Sequence, residues 1–306
     1  MNTRNLRFRS NRVRDILGLF HEELDAMYGR GEVSVFCEML FEAFLGWDKV
    51  RLLTSGEQTV DQSDLLRFHW ALEDLKRNRP IQHIIGYTDF CGCRIAVSPD
   101  VLVPRPETEE IVNSLTPGPF PWGEGSRILD LCTGSGCIAI ALKKAIPGAD
   151  VTAVDVSPAA LEMARQNARN NNVDVEFIQA DILDSTFRLW PHRVADHSSP
   201  LTFNLIVSNP PYVRESERAQ MQRNVLDYDP TLALFVPDDD PLRFYRAIAA
   251  IARQHLAEGG MLVVEINEAF AYETAALFRK HGFVPTIHLD FRGKQRWISA
   301  QLNTEH

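Results

Sequence analysis

The sequence predicts an α/β protein: a mainly parallel sheet with an antiparallel last strand, preceded by a small all-helical N-terminal domain. Three observations predict it. From Arg127 onward, short apolar strands alternate with helices, the pattern of a parallel sheet with crossover connections. The last two strands are joined only through Arg292-Gly293-Lys294, too short a link for a parallel crossover, so they are expected as antiparallel neighbours. Before Pro80, apolar residues recur at helical spacing.

The elements follow in order. Val13, Ile16, Leu17, Phe20 and Leu24 fall on one helical face. Phe36, Met39, Leu40, Ala43 and Phe44 do the same and stop near Gly46. A third helical stretch, Asp61 to Lys76, carries Leu65, Leu66, Phe68, Leu72 and Leu75. Between Ile84 and Val97 the character changes. Tyr87, Phe90, Ile95 and Val97 sit among Gly86 and Gly92, which predicts a hairpin of two brief strands. In the run from Leu102 to Glu110, two prolines forbid regular structure up to Arg105. Pro106 suits the first position of a helix, and the carboxylates of Glu107, Glu109 and Glu110 suit the positive end of its dipole. Pro117 to Gly125 is rich in breakers and reads as a linker.

Strands are then expected at Arg127–Leu131, Asp150–Val154, Val175–Gln179, Asn204–Ser208, Met261–Ile266, Val284–Asp290 and Trp297–Gln301. Helices are expected at Cys137–Ala145, Pro158–Asn170, Pro241–Leu256 and Ala271–His281. The expected division is a helical domain over residues 1–83, a hairpin and linker over 84–126, and an α/β domain over 127–306.

Composition narrows the function classes. The chain has 306 residues, 45% hydrophobic and 24% charged, the balance of a globular protein rather than a fibrous or disordered one. Its 32 basic and 41 acidic residues leave a net charge of −9, which argues against a broad nucleic-acid footprint. Five cysteines form an odd, sparse set. Arg4, Arg7, Arg9, Arg12 and Arg14 precede no apolar signal region, so reduced thiols in a cytoplasm are expected. Cys91-x-Cys93 has no second ligand pair at zinc spacing, so no metal is expected. No apolar run approaches the ~20 residues that span a bilayer.

The best-defined local feature is Asp130-Leu131-Cys132-Thr133-Gly134-Ser135-Gly136, between an expected strand and helix. Small residues let the backbone approach a ligand closely, and the helix N-terminus favours its polar end. Asp155 closes the next strand 19 residues beyond Gly136, where a carboxylate can accept both hydroxyls of a ribose. Asp181 follows the third strand and can face an adenine. Two ligands suit this loop. Gly134-x-Gly136-x-x-Ala139 fits a dinucleotide fingerprint and a dehydrogenase. Asp130 fits S-adenosylmethionine better, because its carboxylate can meet an ammonium group.

Asn209-Pro210-Pro211-Tyr212 decides between them. It follows an expected strand, at the carboxyl end where α/β sheets bind ligands. The NH₂ of an amide or an adenine is a poor nucleophile because its lone pair is delocalised. Its two N–H bonds can be fixed by the Asn209 side-chain oxygen and the Pro210 carbonyl, which proline holds rigidly. Acceptors off the amide plane favour pyramidalisation at nitrogen, and Tyr212 can pack its ring on the planar group. A sulfonium is already a good electrophile, so orientation and electrostatics suffice. A dehydrogenase leaves this tetrapeptide unexplained.

The architecture resembles the class I S-adenosylmethionine-dependent methyltransferases, a Rossmann-like fold. Asp130 to Gly136, Asp155, Asn209 to Tyr212, the Pro80-to-Gly86 run and Pro104-Arg105-Pro106-Glu107-Thr108-Glu109 together are similar to the HemK-type protein glutamine N5-methyltransferases. The resemblance extends from about residue 10 to 302. It implies S-adenosylmethionine as cofactor, S-adenosylhomocysteine as product, and a helical N-terminal domain that recognises substrate. It also implies roles. Thr133, Gly134, Ser135 and Gly136, beside Cys132, would line the methionine and ribose, Asp155 would hold the ribose hydroxyls, and Asp181 and Ile182 would border the adenine. Asn209 would touch cofactor and substrate amide, and Pro210, Pro211 and Tyr212 would complete a glutamine pocket.

Two subfamilies compete, one acting on the Gly-Gly-Gln loop of class I peptide chain release factors, the other on ribosomal protein L3. Glu107-Thr108-Glu109 is similar to the release-factor group, which is the expected one, with the protein monomeric and without direct nucleic-acid contact. Cys132 and Asn267 depart from glycines usual in that group. Cys132 and Cys137 are expected to pack rather than to act as nucleophiles, and Asp238-Asp239-Asp240 reads as a solvated loop. The tetrapeptide is shared with DNA adenine-N6 methyltransferases, a more distant alternative that would need a basic surface. An inactive binding module is the reading outside enzymes, and the intact Asn209 and Tyr212 speak against it.

Overall fold

A computed structural model of the chain describes residues 8–116, 124–185, 187 and 202–303. Most of the expected linker, residues 117–123, lies outside the described residues. The chain divides into two compact units. One reaches Gly86 and includes Gln222–Tyr228; the other comprises Tyr87–Met221 and Asp229–His306.

The first unit is helical: α1 (Val13–Tyr28), α2 (Arg30–Leu45), α3 (Lys49–Thr54), α4 (Gln62–Lys76), α5 (Ile81–Ile85) and, by its place in the chain, α9 (Arg223–Tyr228). The helical-spacing residues form its core, with Ile16, Phe20, Leu40, Phe41, Phe68 and Leu72 almost wholly buried. The Phe41 and Phe68 rings lie 4.5 Å apart, a productive aromatic distance. Gly46 ends α2 with φ 66°, a left-handed cap that glycine takes without steric cost. Asp48 accepts from the Arg51 N–H and caps α3. Sequence spacing gave no sign that residues near 222–228 belong here. They are held by Tyr228, whose hydroxyl donates to the Arg77 carbonyl at 3.2 Å.

The second unit begins with the expected hairpin, β1 (Tyr87–Phe90) and β2 (Cys93–Ala96), then α6 (Pro106–Leu115) with Pro106 in its first turn. There follow β3 (Arg127–Leu131), α7 (Cys137–Ala145), β4 (Asp150–Asp155), α8 (Pro158–Asn170), β5 (Glu176–Gln179) and β6 (Phe203–Ser208). Next come β7 (Val213–Arg214), α10 (Thr231–Leu234), β8 (Phe235–Val236), α11 (Arg243–His255), β9 (Leu256–Glu265), α12 (Ala271–Lys280), β10 (Phe283–Leu289) and β11 (Gln295–Leu302). The small parallel pair β7–β8 and helix α10 had no periodic signal among the prolines of this stretch.

The seven-stranded sheet has the order β10-β11-β9-β6-β3-β4-β5. Strands β3, β4, β5, β6 and β9 run parallel. The last strand, β11, is antiparallel to both β9 and β10. The sheet is mainly parallel with an antiparallel last strand, as the sequence predicts.

Alternation along each strand sends side chains to two cores. Ile128, Leu205, Val207 and Val263 face one, which α7 covers; Leu129, Leu131, Ile206, Leu262 and Val264 face the other, beneath α11 and α12. The first core also takes Phe90 and Ile95 of the hairpin and Ile111 and Leu115 of α6. The segment expected to connect two domains therefore supplies apolar surface to the α/β core, because its period-2 and period-3.6 faces need burial as much as any other.

Strand order also fixes the site. The chain lays β4 and β5 on one side of β3, then places β6 on the other. Where an α/β sheet reverses direction, the loops after the two strands diverge and leave a crevice. Here those loops are Cys132–Gly136 after β3 and Asn209–Tyr212 after β6.

Candidate functional site

A cavity of about 470 Å³ occupies that crevice, within the ~300–1,000 Å³ typical of small-molecule sites. Of the expected residues, Cys132, Thr133, Gly134, Ser135, Asp155, Asp181, Ile182, Asn209 and Pro211 form part of its wall. Asp130, Gly136, Pro210 and Tyr212 do not.

Asp130 lies behind the wall rather than in it. Its place in β3 turns it to the Ile128 side of the sheet, where it is fully buried and accepts from the Thr133 hydroxyl at 2.5 Å. The carboxylate braces the loop through Thr133. Burial pushes its carboxyl up to about 7, against hydrogen bonds from the Thr133 hydroxyl and the Ala139 N–H. Gly136 also sits behind the wall. Its φ of 81° starts α7, and a Cβ there would come within 3.0 Å of the Ala164 Cβ. Gly134 has φ 55° and open space where a Cβ would be, so it exposes backbone to the cavity.

Asp155 ends β4 and accepts the Gly134 N–H at 2.8 Å and the Ser157 N–H at 2.9 Å, one on each oxygen. Burial raises its carboxyl and these backbone donors pull it back down. A carboxylate has about four lone-pair positions, so acceptor capacity remains for ligand hydroxyls. Asp181 accepts the Leu183 N–H at 2.8 Å, which fixes the turn carrying the apolar Ile182. Cys132 is in the left-handed region with φ 61°, the conformation for which glycine is the easier choice. Burial, with Asp155 and Asp130 nearby, pushes its thiol well above the ordinary range, so it is no nucleophile at neutral pH. Cys137 is likewise held up at about 12 by burial. Asp238 is tied to Ser216, whose N–H and hydroxyl both reach it.

The tetrapeptide is held by residues that its local sequence did not reveal. Asn209 donates through Nδ2 to the Thr108 hydroxyl at 3.1 Å. Thr108 donates to Oε2 of Glu265 at 2.6 Å, and the Tyr212 hydroxyl donates to Oε1 of the same carboxylate at 2.9 Å. Burial and Glu265 hold the Tyr212 phenol protonated, well above its usual range. Asn267 donates to the Tyr212 carbonyl at 3.0 Å. Arg105 and Asp229 form an ion pair that ties two stretches of cavity wall, around Leu102–Arg105 and Pro230–Phe235. The segment from Pro104 to Glu109 was the most distinctive run in the sequence, yet only its contacts show what Arg105 and Thr108 do. A carboxylate directly after the apolar run Met261–Val264, at a strand's carboxyl end, was the available signal for Glu265.

The wall suits S-adenosylmethionine. Asp155 keeps acceptors for a ribose, Gly134 leaves room at the loop, and Ile182 and Val156 offer apolar surface for a base. Among the described residues no three His, Cys, Asp or Glu side chains cluster as metal ligands.

Comparison with known proteins agrees with this geometry. Residues 28–86 match the model of the PrmC N-terminal domain, and residues 113–227 match that of the methyltransferase small domain. A release factor glutamine methyltransferase of Flavobacterium psychrophilum is 39% identical over 92% of this chain and 96% of its own length. One from Bacteroides thetaiotaomicron is 37% identical over 93% and 98%. One from Deinococcus radiodurans is 35% identical over 88% and 91%. With this identity sustained through both the helical and the α/β parts, the chain belongs to the release factor glutamine methyltransferase family.

Proposed function

We propose that this protein transfers the methyl group of S-adenosylmethionine to the side-chain amide nitrogen (N5) of the glutamine in the Gly-Gly-Gln loop of class I peptide chain release factors, leaving S-adenosylhomocysteine. One observation carries the reading: Asn209, its amide N–H already engaged by Thr108, shares a cavity wall with Asp155 and the glycine loop. A nucleophile-orienting amide and a ribose-type carboxylate thus serve one chamber. Sequence kinship to named release factor glutamine methyltransferases supports the choice of acceptor.

When bound, S-adenosylmethionine supplies an electrophilic methyl group on a sulfonium. The chain supplies binding and orientation. Asp155 accepts the ribose hydroxyls with its remaining acceptor capacity. Thr133, Gly134 and Ser135 line the methionine and ribose side, with Asp130 and Gly136 supporting them from behind, and Asp181 and Ile182 border the adenine. Asn209 Oδ1 and the Pro210 carbonyl accept the two N–H bonds of the glutamine amide, and Pro211 and Tyr212 complete the pocket. Those acceptors aim the nitrogen lone pair, so no base is needed before transfer, and the methylated nitrogen then gives up its surplus proton to solvent. The helical domain, residues 1–83, recognises the release factor. The protein works as a cytoplasmic monomer without direct nucleic-acid contact; no described helix is long and apolar enough to cross a membrane.

The test is to incubate the protein with methyl-labelled S-adenosylmethionine and three acceptors: a release factor, its Gly-Gly-Asn variant, and ribosomal protein L3. Label is expected on the unaltered release factor alone. Label on L3 alone would replace the acceptor, and label on none would overturn the reading.

A further inference from the structure

We propose that Glu265 and Thr108 are positioning residues that fix which end of the Asn209 side-chain amide faces the substrate, presenting Oδ1 to the glutamine NH₂ and turning Nδ2 away. The inference rests on the methyl-transfer reading above.

The argument is one of proton bookkeeping. A threonine hydroxyl has one proton to give and lone pairs to receive with. Burial raises the Glu265 carboxyl, and the Thr108 and Tyr212 hydroxyls with Arg296 nearby pull it back down; as a carboxylate it can only accept, so the Thr108 proton goes to its Oε2, at 2.6 Å. Thr108 can then only accept from Asn209, and the Asn209 atom at 3.1 Å must be the donor, Nδ2. Oδ1 is left for the cavity, whose wall includes both Asn209 and Thr108.

The opposite amide orientation would put Oδ1 against Thr108. The hydroxyl would then have to turn its proton from Glu265 to Asn209. Glu265 is 2% exposed, and among the described residues the Thr108 and Tyr212 hydroxyls are the side-chain donors within hydrogen-bond distance of its two oxygens. Losing one would leave a buried carboxylate oxygen without a partner. That disfavours the reversed amide on the order of tenfold to a hundredfold. The second oxygen holds the Tyr212 hydroxyl, so a single buried carboxylate orients both ends of the tetrapeptide. Neither Glu265 nor its neighbour Arg296 forms part of the cavity wall; Glu265 acts through Thr108 and Tyr212.

An amide that presents oxygen selects a substrate NH₂ and rejects a carboxylate. One that presents N–H does the reverse. The experiment therefore measures binding, by calorimetry in the presence of S-adenosylhomocysteine, of a release factor with Gly-Gly-Gln and of its Gly-Gly-Glu variant. The unaltered enzyme should prefer glutamine by about tenfold or more. Thr108→Val, which removes the hydroxyl but keeps the shape, should lose the part of that preference that Asn209 supplies, the Pro210 carbonyl retaining the rest, and lower kcat more than it raises KM. Thr108→Ser, which restores the hydroxyl, should restore the preference.

A merely structural role would weaken both release factors equally, and an unchanged preference in Thr108→Val overturns the proposal. If Thr108→Val fails to bind S-adenosylhomocysteine, Glu265→Gln decides. Its amide can offer an N–H to Thr108 and so admits the reversed chain, which should reduce the preference. A wild-type preference in Glu265→Gln would then overturn the proposal. Failure of the unaltered enzyme to methylate the release factor would instead remove the functional reading on which it rests.

Discussion

Asp130 shows how one residue's surroundings set its chemistry. Its carboxylate is fully buried and accepts from the Thr133 hydroxyl, with the Ala139 N–H acting on it as well. Burial holds the folded-state value at about 7, above the ordinary 3.8. The sign follows from linkage. The folded state binds this proton more tightly than the unfolded chain, so stability falls as pH rises from about 4 through 7, and the penalty is complete above 7. Asp130→Asn keeps an oxygen for Thr133 and carries no charge. Without cofactor, its Tm relative to the unaltered protein should rise between pH 5 and pH 8. The change corresponds to on the order of 2 kcal/mol, which is several degrees in a thermal melt. A difference that stays constant across that range would show that the carboxylate is not paying for its burial. At this scale, what the sequence disclosed were the contiguous runs: the glycine loop and the Asn-Pro-Pro-Tyr tetrapeptide each announce their chemistry locally. Thr108 and Glu265 do not, because their bond joins residues 157 positions apart. Asp130 was visible as a residue but not by direction, since strand alternation and the loop above it decide which way it faces.

At the scale of the element, the loop between β3 and α7 carries two glycines with different duties. Gly136 has φ 81°, and a Cβ there would lie 3.0 Å from the Ala164 Cβ and 3.1 Å from Ile140 Cδ1, so it sets how closely α7 packs on α8. Gly134 has φ 55° and nothing within 4 Å, so it spares room for a ligand. Gly136→Ala should therefore cost stability, roughly 2–4 kcal/mol from the left-handed backbone and the overpacking together. Gly134→Ala should cost only about 1–2 kcal/mol from the backbone, yet weaken S-adenosylhomocysteine binding more. Denaturant melts paired with calorimetry separate the two, and equal stability losses would refute the division of labour. The elements most legible in sequence were those of this α/β core. Arg127–Leu131, Cys137–Ala145 and Pro158–Asn170 fall where the pattern placed them, because each is bounded by glycine, proline or a polar turn and buries an apolar face. The stretch from Pro210 to Val236 was not legible. Its strands β7 and β8 have two residues each and its helices have six or fewer, too short for a period to declare itself.

For the whole molecule, charge separates two readings that the tetrapeptide cannot. Glutamine amide and adenine both present a planar NH₂, so Asn209 and Pro210 would orient either one. Reaching an adenine in duplex DNA also requires extruding it and holding the phosphate backbone, which takes a run of unneutralised Lys and Arg. This chain carries −9 overall, with 32 basic against 41 acidic residues. Many of its arginines are spent on carboxylates: Arg67 on Asp64, Arg79 on Asp74, Arg214 on Glu217, Arg246 on Asp240 and Arg296 on Asp290. A stripe interrupted by its own counter-charges releases few cations on meeting a polyanion, and the remaining net charge repels it. Adenine-containing duplex DNA should therefore give no mobility shift even at about 50 mM salt, where phosphate contacts are strongest. It should take no methyl label, and an excess of it should leave the rate of release-factor methylation unchanged. A complex that forms at low salt and weakens steeply as salt is raised would mean that a local basic patch outweighs the net charge, and it would return the adenine reading to contention.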